Sequence, residues 1–328
     1  MTPTGSDSTL AVDRLRRATR VLLTSHRNPD GDAIGSELAL AELARSFGVE
    51  PVILNRDPAP VTLSELPGVE SVTVADALPQ DFPDGYDLVV TVECPELDRC
   101  GFEGLDQLPI LNIDHHLANP AYGEVNYLDE EAPAVGEMVW TMFKTAGVEP
   151  TADAAVNAYV ALATDTGDFR YSNARPRAFT AAAEMVEAGA DPPTISEWVH
   201  DGRTAASVRL LGEALKTLRF FCNGRLASLA VDQAAFARAG ADSTDTEEII
   251  NIPRAISGVE AVVFCKQWEP DMVKVSLRSR RDVDVRSVAA AFGGGGHTNA
   301  AGCAIAGDLE TARTRLETSL SELLGGCE

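Results

Sequence analysis

The chain holds five histidines, and four of them lie in polar clusters. The first cluster is His26-Arg27-Asn28-Pro29-Asp30-Gly31-Asp32, one imidazole and two carboxylates on a tight Pro/Gly turn. The three side chains can converge on one point there, and such nitrogen and oxygen ligands suit manganese, magnesium, cobalt or zinc. Taken alone, the segment reads equally well as a polar turn whose Asp caps the following helix. The second cluster is Asp114-His115-His116, and single carboxylates, Glu93 and Asp165, end two further apolar runs. Together these hold three histidines and five carboxylates, more than one ion needs. The surplus matches a pair of ions ~3.5–4 Å apart that share a bridging carboxylate. His297 follows Gly293, Gly294, Gly295 and Gly296 and precedes Asn299. Glycines without Cβ let backbone amides approach phosphate oxygens closely. His200 receives no role.

The elements around these clusters predict an α/β fold. Residues 21–24, 52–54, 88–92 and 110–113 read as strands rich in Val, Ile and Leu without clean alternation, which suits a parallel sheet covered on both faces. The first two clusters and Glu93 then fall at strand ends, where ligands bind in such sheets. Residues 34–47, 135–146, 152–164 and 176–188 read as helices, with Pro192 and Pro193 as an interruption and residues 1–9 as frayed. A connecting helix is expected within 203–219. Beyond it, strand-like runs at 226–231, 259–267 and 272–278 alternate with helical stretches at 245–251, 285–292 and 309–324. The expectation is a mostly parallel sheet flanked by helices over 1–200, a linker helix over 201–222, and a smaller α/β substrate domain over 223–328, with a cleft between the two.

Acidic residues outnumber basic ones 50 to 27, for a net charge of −23. Only Lys144, Lys216, Lys266 and Lys274 are lysines. This composition predicts a salt-adapted cytoplasmic protein from a haloarchaeon, the alternative being an acidic protein from a GC-rich genome. At molar salt the Debye length is ~3 Å, so long-range steering is weak. A large basic groove for long nucleic acid is thereby excluded, and a phosphate must be held by ions, paired arginines or backbone amides. No apolar run approaches the ~18 residues of a membrane span, and residues 1–20 lack a secretory pattern. The six cysteines form no CxxC pair or zinc spacing and are expected to be reduced thiols.

These residues resemble the motifs of the DHH phosphoesterases of the RecJ-like superfamily. His26-x-x-x-Asp30-x-Asp32 followed by Ala33-Ile34-Gly35-Ser36 resembles their first motif. Asp114-His115-His116 is the motif that names them, and Thr164-Asp165-Thr166-Gly167-x-Phe169 resembles the fourth. Ser276-Leu277-Arg278-Ser279 and the segment from Phe292 through His297 and Asn299 to Gly302 resemble the DHH-associated substrate domain. In the family's second motif an Asp bridges both metals, with an Arg six residues later. Here Glu93 stands at that position and Arg99 keeps the register. Glu is one methylene longer and carries its carboxylate ~1.5 Å further out, and Glu96 and Asp98 are alternative contributors.

The resemblance implies roles. His26 and Asp30 would hold one manganese, Asp32, His115 and Asp165 the other, with Glu93 between them; magnesium or cobalt are alternatives. His116 would contact the scissile phosphate, and Asp114 would orient a histidine. Arg99, Arg278, the four glycines, His297 and Asn299 would bind substrate. The implied activity is that of the nanoRNase/pAp-phosphatase branch. Such enzymes are oligoribonucleases, nucleases of the exonuclease type, that hydrolyse short oligonucleotides or linear dinucleotides to mononucleotides. They also act on 3′-phosphoadenosine 5′-phosphate. A homodimer without a membrane partner is expected. The alternatives are a cyclic dinucleotide phosphodiesterase, a pyrophosphatase-like enzyme, or a non-catalytic nucleotide-binding regulator.

Overall fold

The structure is a computed structural model that describes residues 5–200 and 204–326, without the side chains of residues 5, 6, 200, 247, 248 and 297. The chain divides into two compact units, residues 1–202 and 203–328.

The first unit runs α1 (Gly5–Arg16), β1 (Arg20–Thr24), α2 (Gly31–Ser46), β2 (Glu50–Asn55), β3 (Val72–Val74), β4 (Leu88–Val92), β5 (Ile110–Asp114), β6 (Val125–Leu128), α3 (Val135–Ala146), α4 (Ala152–Asp165), α5 (Pro176–Glu187) and α6 (Pro192–His200). Its six strands form one sheet in the order β3-β2-β1-β4-β5-β6, and all pairings are parallel. The order reverses between β1 and β4. At such a switch point the connections leave in opposite directions and open a crevice at the carboxyl edge.

The absence of alternation in the strands reflects burial on both faces. Leu23, Val90, Leu111 and Ile113 pack with the helices, whereas Leu22, Leu54, Val89 and Ile110 pack with Tyr86, Phe102 and Leu105. Short 3-10 turns and loops cover that second face, so helices flank the sheet mainly on the first. The first unit also holds elements with little sequence signal. Residues 5–9 are helical rather than frayed, because Ala11, Val12 and Leu15 anchor α1 in the core. Pro192 and Pro193 begin α6 instead of breaking a helix, as Pro is tolerated in a first turn.

The second unit runs α7 (Ala205–Lys216), β7 (Arg219–Phe221), β8 (Leu226–Val231), α8 (Gln233–Ala239), α9 (Asn251–Arg254), β9 (Ala261–Glu269), β10 (Met272–Ser279), α10 (Val285–Ala291), β11 (Gly295–His297), β12 (Ala300–Ala306) and α11 (Leu309–Leu323). Its sheet is mixed, in the order β11-β12-β10-β9-β8-β7, with β8 and β9 parallel and the other pairs antiparallel. Leu316 and Leu320 of α11 cover one face, and Leu210 and Ala214 of α7 help cover the other. The helix expected as a linker therefore packs as part of this unit. The alanine-rich stretch 300–306 is β12: Ala301, Cys303 and Ile305 face the core in strict alternation. Cys94, Cys100, Cys265 and Cys303 are free thiols, but Cys222 is disulfide-bonded, which departs from the expectation of six reduced cysteines.

Candidate metal centre

After β1 the chain turns through His26 into α2. Asp30 is the N-cap of α2, its Oδ1 accepting the Ala33 N–H at 3.1 Å. The cap uses one carboxylate oxygen and leaves the other, so capping and ligation are compatible. Glycine follows because α2 enters hard against α4: a Cβ on Gly31 would lie 2.4 Å from the Thr164 hydroxyl. That approach sets the first turn of α2 beside Asp165, the last residue of α4. Asp32 is fully buried, and it accepts Val135 N–H at 2.7 Å, Gly136 N–H at 2.9 Å and the Ser36 hydroxyl at 2.9 Å. The two amides open α3, whose N-cap Ala134 has no side chain to offer. Asp32 caps that helix from outside, at its positive end.

Glu93 follows β4 with φ +56, a left-handed conformation that a side-chain-bearing residue holds only under constraint. Its Oε1 lies 3.3 Å from His115 Nε2 and 3.5 Å from His116 Nδ1, and its Oε2 is buried without a hydrogen-bond partner. Asp114 ends β5 and delivers both histidines. His115 Nδ1–H donates to the Ala132 carbonyl at 3.0 Å, which turns Nε2 toward Glu93, toward Asp165 at 3.8 Å and toward Asp32 at 4.0 Å. His116 Nδ1–H donates to Asp114 at 2.9 Å, the orienting contact expected of that carboxylate.

Two groups of ligand atoms thus each lie within 4.8 Å of one another: Asp32 with His115 and Asp165, and Glu93 with His115 and His116. Asp30 and His26 belong to neither group. Asp30 is near enough to raise the pKa of both Asp32 and Asp165. His26 sets Nδ1 against the Arg27 carbonyl at 2.8 Å, leaving Nε2 available. Arg99 is half-buried, and its carbonyl accepts Arg27 N–H at 2.8 Å, tying the loop after β4 to the loop after β1.

The centre is short of positive charge. Burial, reinforced by neighbouring carboxylates, pushes Asp32 and Glu93 up to about 7 and Asp165 up to about 6. Burial acts to lower His115, but Glu93, Asp32 and Asp165 override it and push the imidazole up to about 11. Burial first and mutual repulsion second raise the three carboxylates, and the same crowded anions raise the imidazole. Asp114 differs: burial would raise it, yet hydrogen bonds from His116 and Asn119 leave it lowered. The donor set, the orphaned Glu93 oxygen and the surplus of negative charge together fit divalent cations.

Several supporting residues carry no motif signal. Asn173 Nδ2–H donates to Asp165 Oδ2 at 3.1 Å and to the Pro133 carbonyl at 3.0 Å, and Asn119 Nδ2–H donates to Asp114 Oδ2 at 2.6 Å. Arg177 pairs with Asp129 and Glu137. Asp129 in turn accepts Glu131 N–H at 3.1 Å, shaping the turn whose Ala132 carbonyl holds His115. An amide three residues past His116, or eight past Asp165, is the only sequence trace of these roles.

In the second unit, Arg278 lies on β10 opposite Ala300 and is half-buried, with Nη1 donating to the Leu277 carbonyl at 3.1 Å. The glycine run has a different local logic from the phosphate cradle expected. Gly293 N–H and Gly294 N–H close the end of α10 on Ala290 and Ala289, and Gly295, Gly296 and His297 pair with β12. A Cβ on Gly294 would lie 2.1 Å from the Gly302 carbonyl, so strand packing alone requires that glycine. Asn299 spends its amide inside the fold, donating to Ser279 Oγ at 2.8 Å and the Arg281 carbonyl at 2.9 Å. The side chain of His297 lies outside the described ones.

Comparison with known proteins agrees with this geometry. Residues 20–164 match the DHH family, N-terminal domain, and residues 226–322 match the DHHA1 domain. A bifunctional oligoribonuclease and PAP phosphatase of Thermus thermophilus is 33% identical over 307 residues, covering 93% of this chain and 90% of the relative. The protein of that name from Bacillus subtilis is 25% identical, covering 87% of this chain and 89% of its own. Among solved structures, an exopolyphosphatase-related protein from Bacteroides fragilis superposes with a TM-score of 0.87 at 26% identity, covering 95% of this chain and 96% of the other. RecJ of Thermus thermophilus in complex with Mn2+ shares the fold, with a TM-score of 0.53 at 14% identity over 99% of this chain and 55% of its own. The chain belongs to the DHH family, an N-terminal DHH domain followed in sequence by a DHHA1 domain.

Proposed function

We propose that this protein is a divalent-cation-dependent phosphoesterase that hydrolyses short oligoribonucleotides and linear dinucleotides to mononucleotides, and removes the 3′-phosphate of 3′-phosphoadenosine 5′-phosphate. The observation that carries the reading is the convergence of Asp32, Glu93, His115, His116 and Asp165 from four separate segments on the carboxyl edge of the sheet. The oligoribonuclease relatives of similar length supply the substrate class. Asp32, His115 and Asp165 would hold one ion, His26 and Asp30 the other, with Glu93 shared; manganese is proposed, with magnesium or cobalt as substitutes. When bound, the ions supply the charge that neutralises the phosphoryl oxygens and acidify the attacking water.

The chain's own side chains supply orientation and proton control. Asp114 holds His116 with Nδ1 protonated, so that Nε2 can address a phosphate oxygen or the leaving group. Arg99 is proposed to bind phosphate beside the metal centre of the first unit through its bidentate fork, and Arg278 and His297 are proposed as phosphate- or base-binding residues of the second unit. Gly293, Gly294, Gly295, Gly296 and Asn299 would shape the turn that carries His297. Glu93 in place of Asp supports turnover rather than lost activity in this reading, since its carboxylate reaches both histidines.

No helix among the described residues is long and apolar enough to cross a membrane. The acidic surplus supports a cytoplasmic, salt-adapted enzyme, for which a substrate with few phosphates loses little affinity at high salt. A homodimer is proposed on the family resemblance alone. Hydrolysis of a 5′-labelled RNA length series at molar KCl with manganese tests the reading, run beside 3′-phosphoadenosine 5′-phosphate, pyrophosphate and a cyclic dinucleotide. Rapid loss of two- to five-mers with long RNA spared is expected. Folded protein that turns over none of these would overturn it in favour of a nucleotide-binding regulator.

A further inference from the structure

The loop that leaves Asp165 contains three consecutive left-handed residues, Gly167 at φ +56, Asp168 at +55 and Phe169 at +61. Two of the three carry side chains, so the turn is strained and must be over-determined by its surroundings. Thr166, fully buried, pins it: its carbonyl accepts Arg170 N–H and Tyr171 N–H, each at 3.0 Å, and its hydroxyl accepts Phe169 N–H at 3.2 Å. The far end returns to the metal centre, where Asn173 Nδ2–H donates to both the carbonyl and the carboxylate of Asp165. The result is a rigid excursion that begins and ends on one metal-ligating carboxylate.

Tyr171 sits on this excursion. Its ring lies over Gly167: a Cβ there would fall 2.4–2.6 Å from Cζ, Cε2 and Cε1. One ring face is therefore sealed on glycine backbone, while the side chain remains 50% exposed. Asn173 is only two residues on, a span of at most ~7 Å. The open face is an apolar, π-rich surface held at a fixed place beside the metal centre. Phe169 on the same loop instead packs between Tyr159 and Phe179.

We propose that Tyr171 is a nucleobase-stacking platform, on which a base flanking the scissile phosphate lies against the open ring face. The proposal rests on the phosphoesterase reading above and narrows it, because a stacked base separates nucleotides from pyrophosphate and other base-free phosphoesters. Every base has a π-face, so the platform favours nucleotides without selecting sequence, which suits an enzyme that clears mixed fragments. The ring is already fixed by Gly167 and Thr166, so little rotamer freedom is lost on binding.

The test is a binding titration of the full chain with a dinucleotide carrying 2-aminopurine, followed by fluorescence quenching with calcium as the divalent ion. An abasic dinucleotide serves as competitor. Tyr171→Ala should weaken the fluorescent dinucleotide about ten- to a hundredfold, the range of one base–aromatic stack, and lose the quench. The abasic competitor should bind all variants alike. Tyr171→Phe and Tyr171→Trp should retain both affinity and quench. Tyr171→Leu keeps apolar cover on Gly167 without a π-face, and it should lose affinity as alanine does. Equal weakening of the abasic competitor would show that the ring merely shapes the Asp165 loop and would overturn the proposal, as would an unchanged Tyr171→Ala or Tyr171→Leu. Wild-type protein that binds abasic and fluorescent dinucleotides equally would overturn the platform alone. Wild-type protein that binds neither, and hydrolyses no oligonucleotide, would overturn the phosphoesterase reading with it.

Discussion

Two buried ionic clusters, one in each unit, are built to opposite specifications. In the second unit Arg313 of α11 is 1% exposed, and its Nε donates to Ser228 Oγ and Glu317 Oε1, each at 2.9 Å. Its Nη2 donates to the Thr217 carbonyl at 2.7 Å and the Ser228 carbonyl at 3.0 Å. One cation meets nearby carboxylates and carbonyls, and the network closes on itself. In the first unit, three carboxylates, Asp32, Glu93 and Asp165, face His115, all three have raised pKa values, and a Glu93 oxygen has no partner. A closed network holds elements together; an open one with a charge deficit is waiting for something to bind.

The largest effect expected from this contrast is at His115, the residue shared by both ligand groups. His115→Ala should lower phosphodiesterase activity about a thousandfold or more, ~4 kcal/mol in the transition state, and reduce the metal retained after desalting. Initial rates with metal analysis check this, and near wild-type turnover would remove the metal centre from the argument. Arg313→Met should act in the other currency: a loss of about 3–5 kcal/mol in stability, because Glu317 is left buried and unpaired. Adding Glu317→Leu should recover much of that loss, whereas adding it alone should not help. Urea midpoints of the two single variants and the double variant decide, and a neutral Arg313→Met would mean the cluster is not closed in the sense argued.

Asn173→Ala is a smaller test of the same contrast. It leaves every ligand in place and removes only the amide that orients Asp165. Metal affinity should fall about ten- to a hundredfold, with the urea midpoint of metal-free protein little changed. A variant that instead unfolds more easily without metal, and binds metal as before, would reassign Asn173 to the fold.

The reach of the sequence differed between these regions for a physical reason. Candidate ligand residues were legible because short motifs at strand ends concentrate rare residue types, and the strands were because β1, β4 and β5 are buried on both faces and so nearly continuously apolar. β3 and β6 were missed because short strands toward a sheet edge carry little pattern. β12 was missed because alanine alternates without looking hydrophobic. The glycine run was read for phosphate when two of its amides close α10 and Gly294 answers to strand packing. Arg313 and Arg177 were invisible because most of their partners lie far away in sequence, and Asn119 and Asn173 because a lone amide near a carboxylate carries no pattern of its own.

Glu37 falls between the two kinds of cluster, and its effect is graded by pH. It is fully buried on α2; its Oε2 accepts Asn55 Nδ2–H at 2.7 Å, while its Oε1 has no partner. Burial pushes its pKa from 4.5 up to about 8, with the Asn55 hydrogen bond opposing. The raised value means that the folded chain keeps a proton which the unfolded chain has released. Between those two values stability must therefore fall as pH rises, by about 1.4 kcal/mol per unit from this group, and level off above the folded value. Glu37→Gln cannot ionise and should remove that component. Its urea midpoint should match wild type near pH 4 and exceed it increasingly toward pH 8, the metal ligands titrating alike in both proteins. Parallel curves across that range would mean that Glu37 is charged in the folded state, and would move it from a neutral prop of α2 into the open, charge-deficient class.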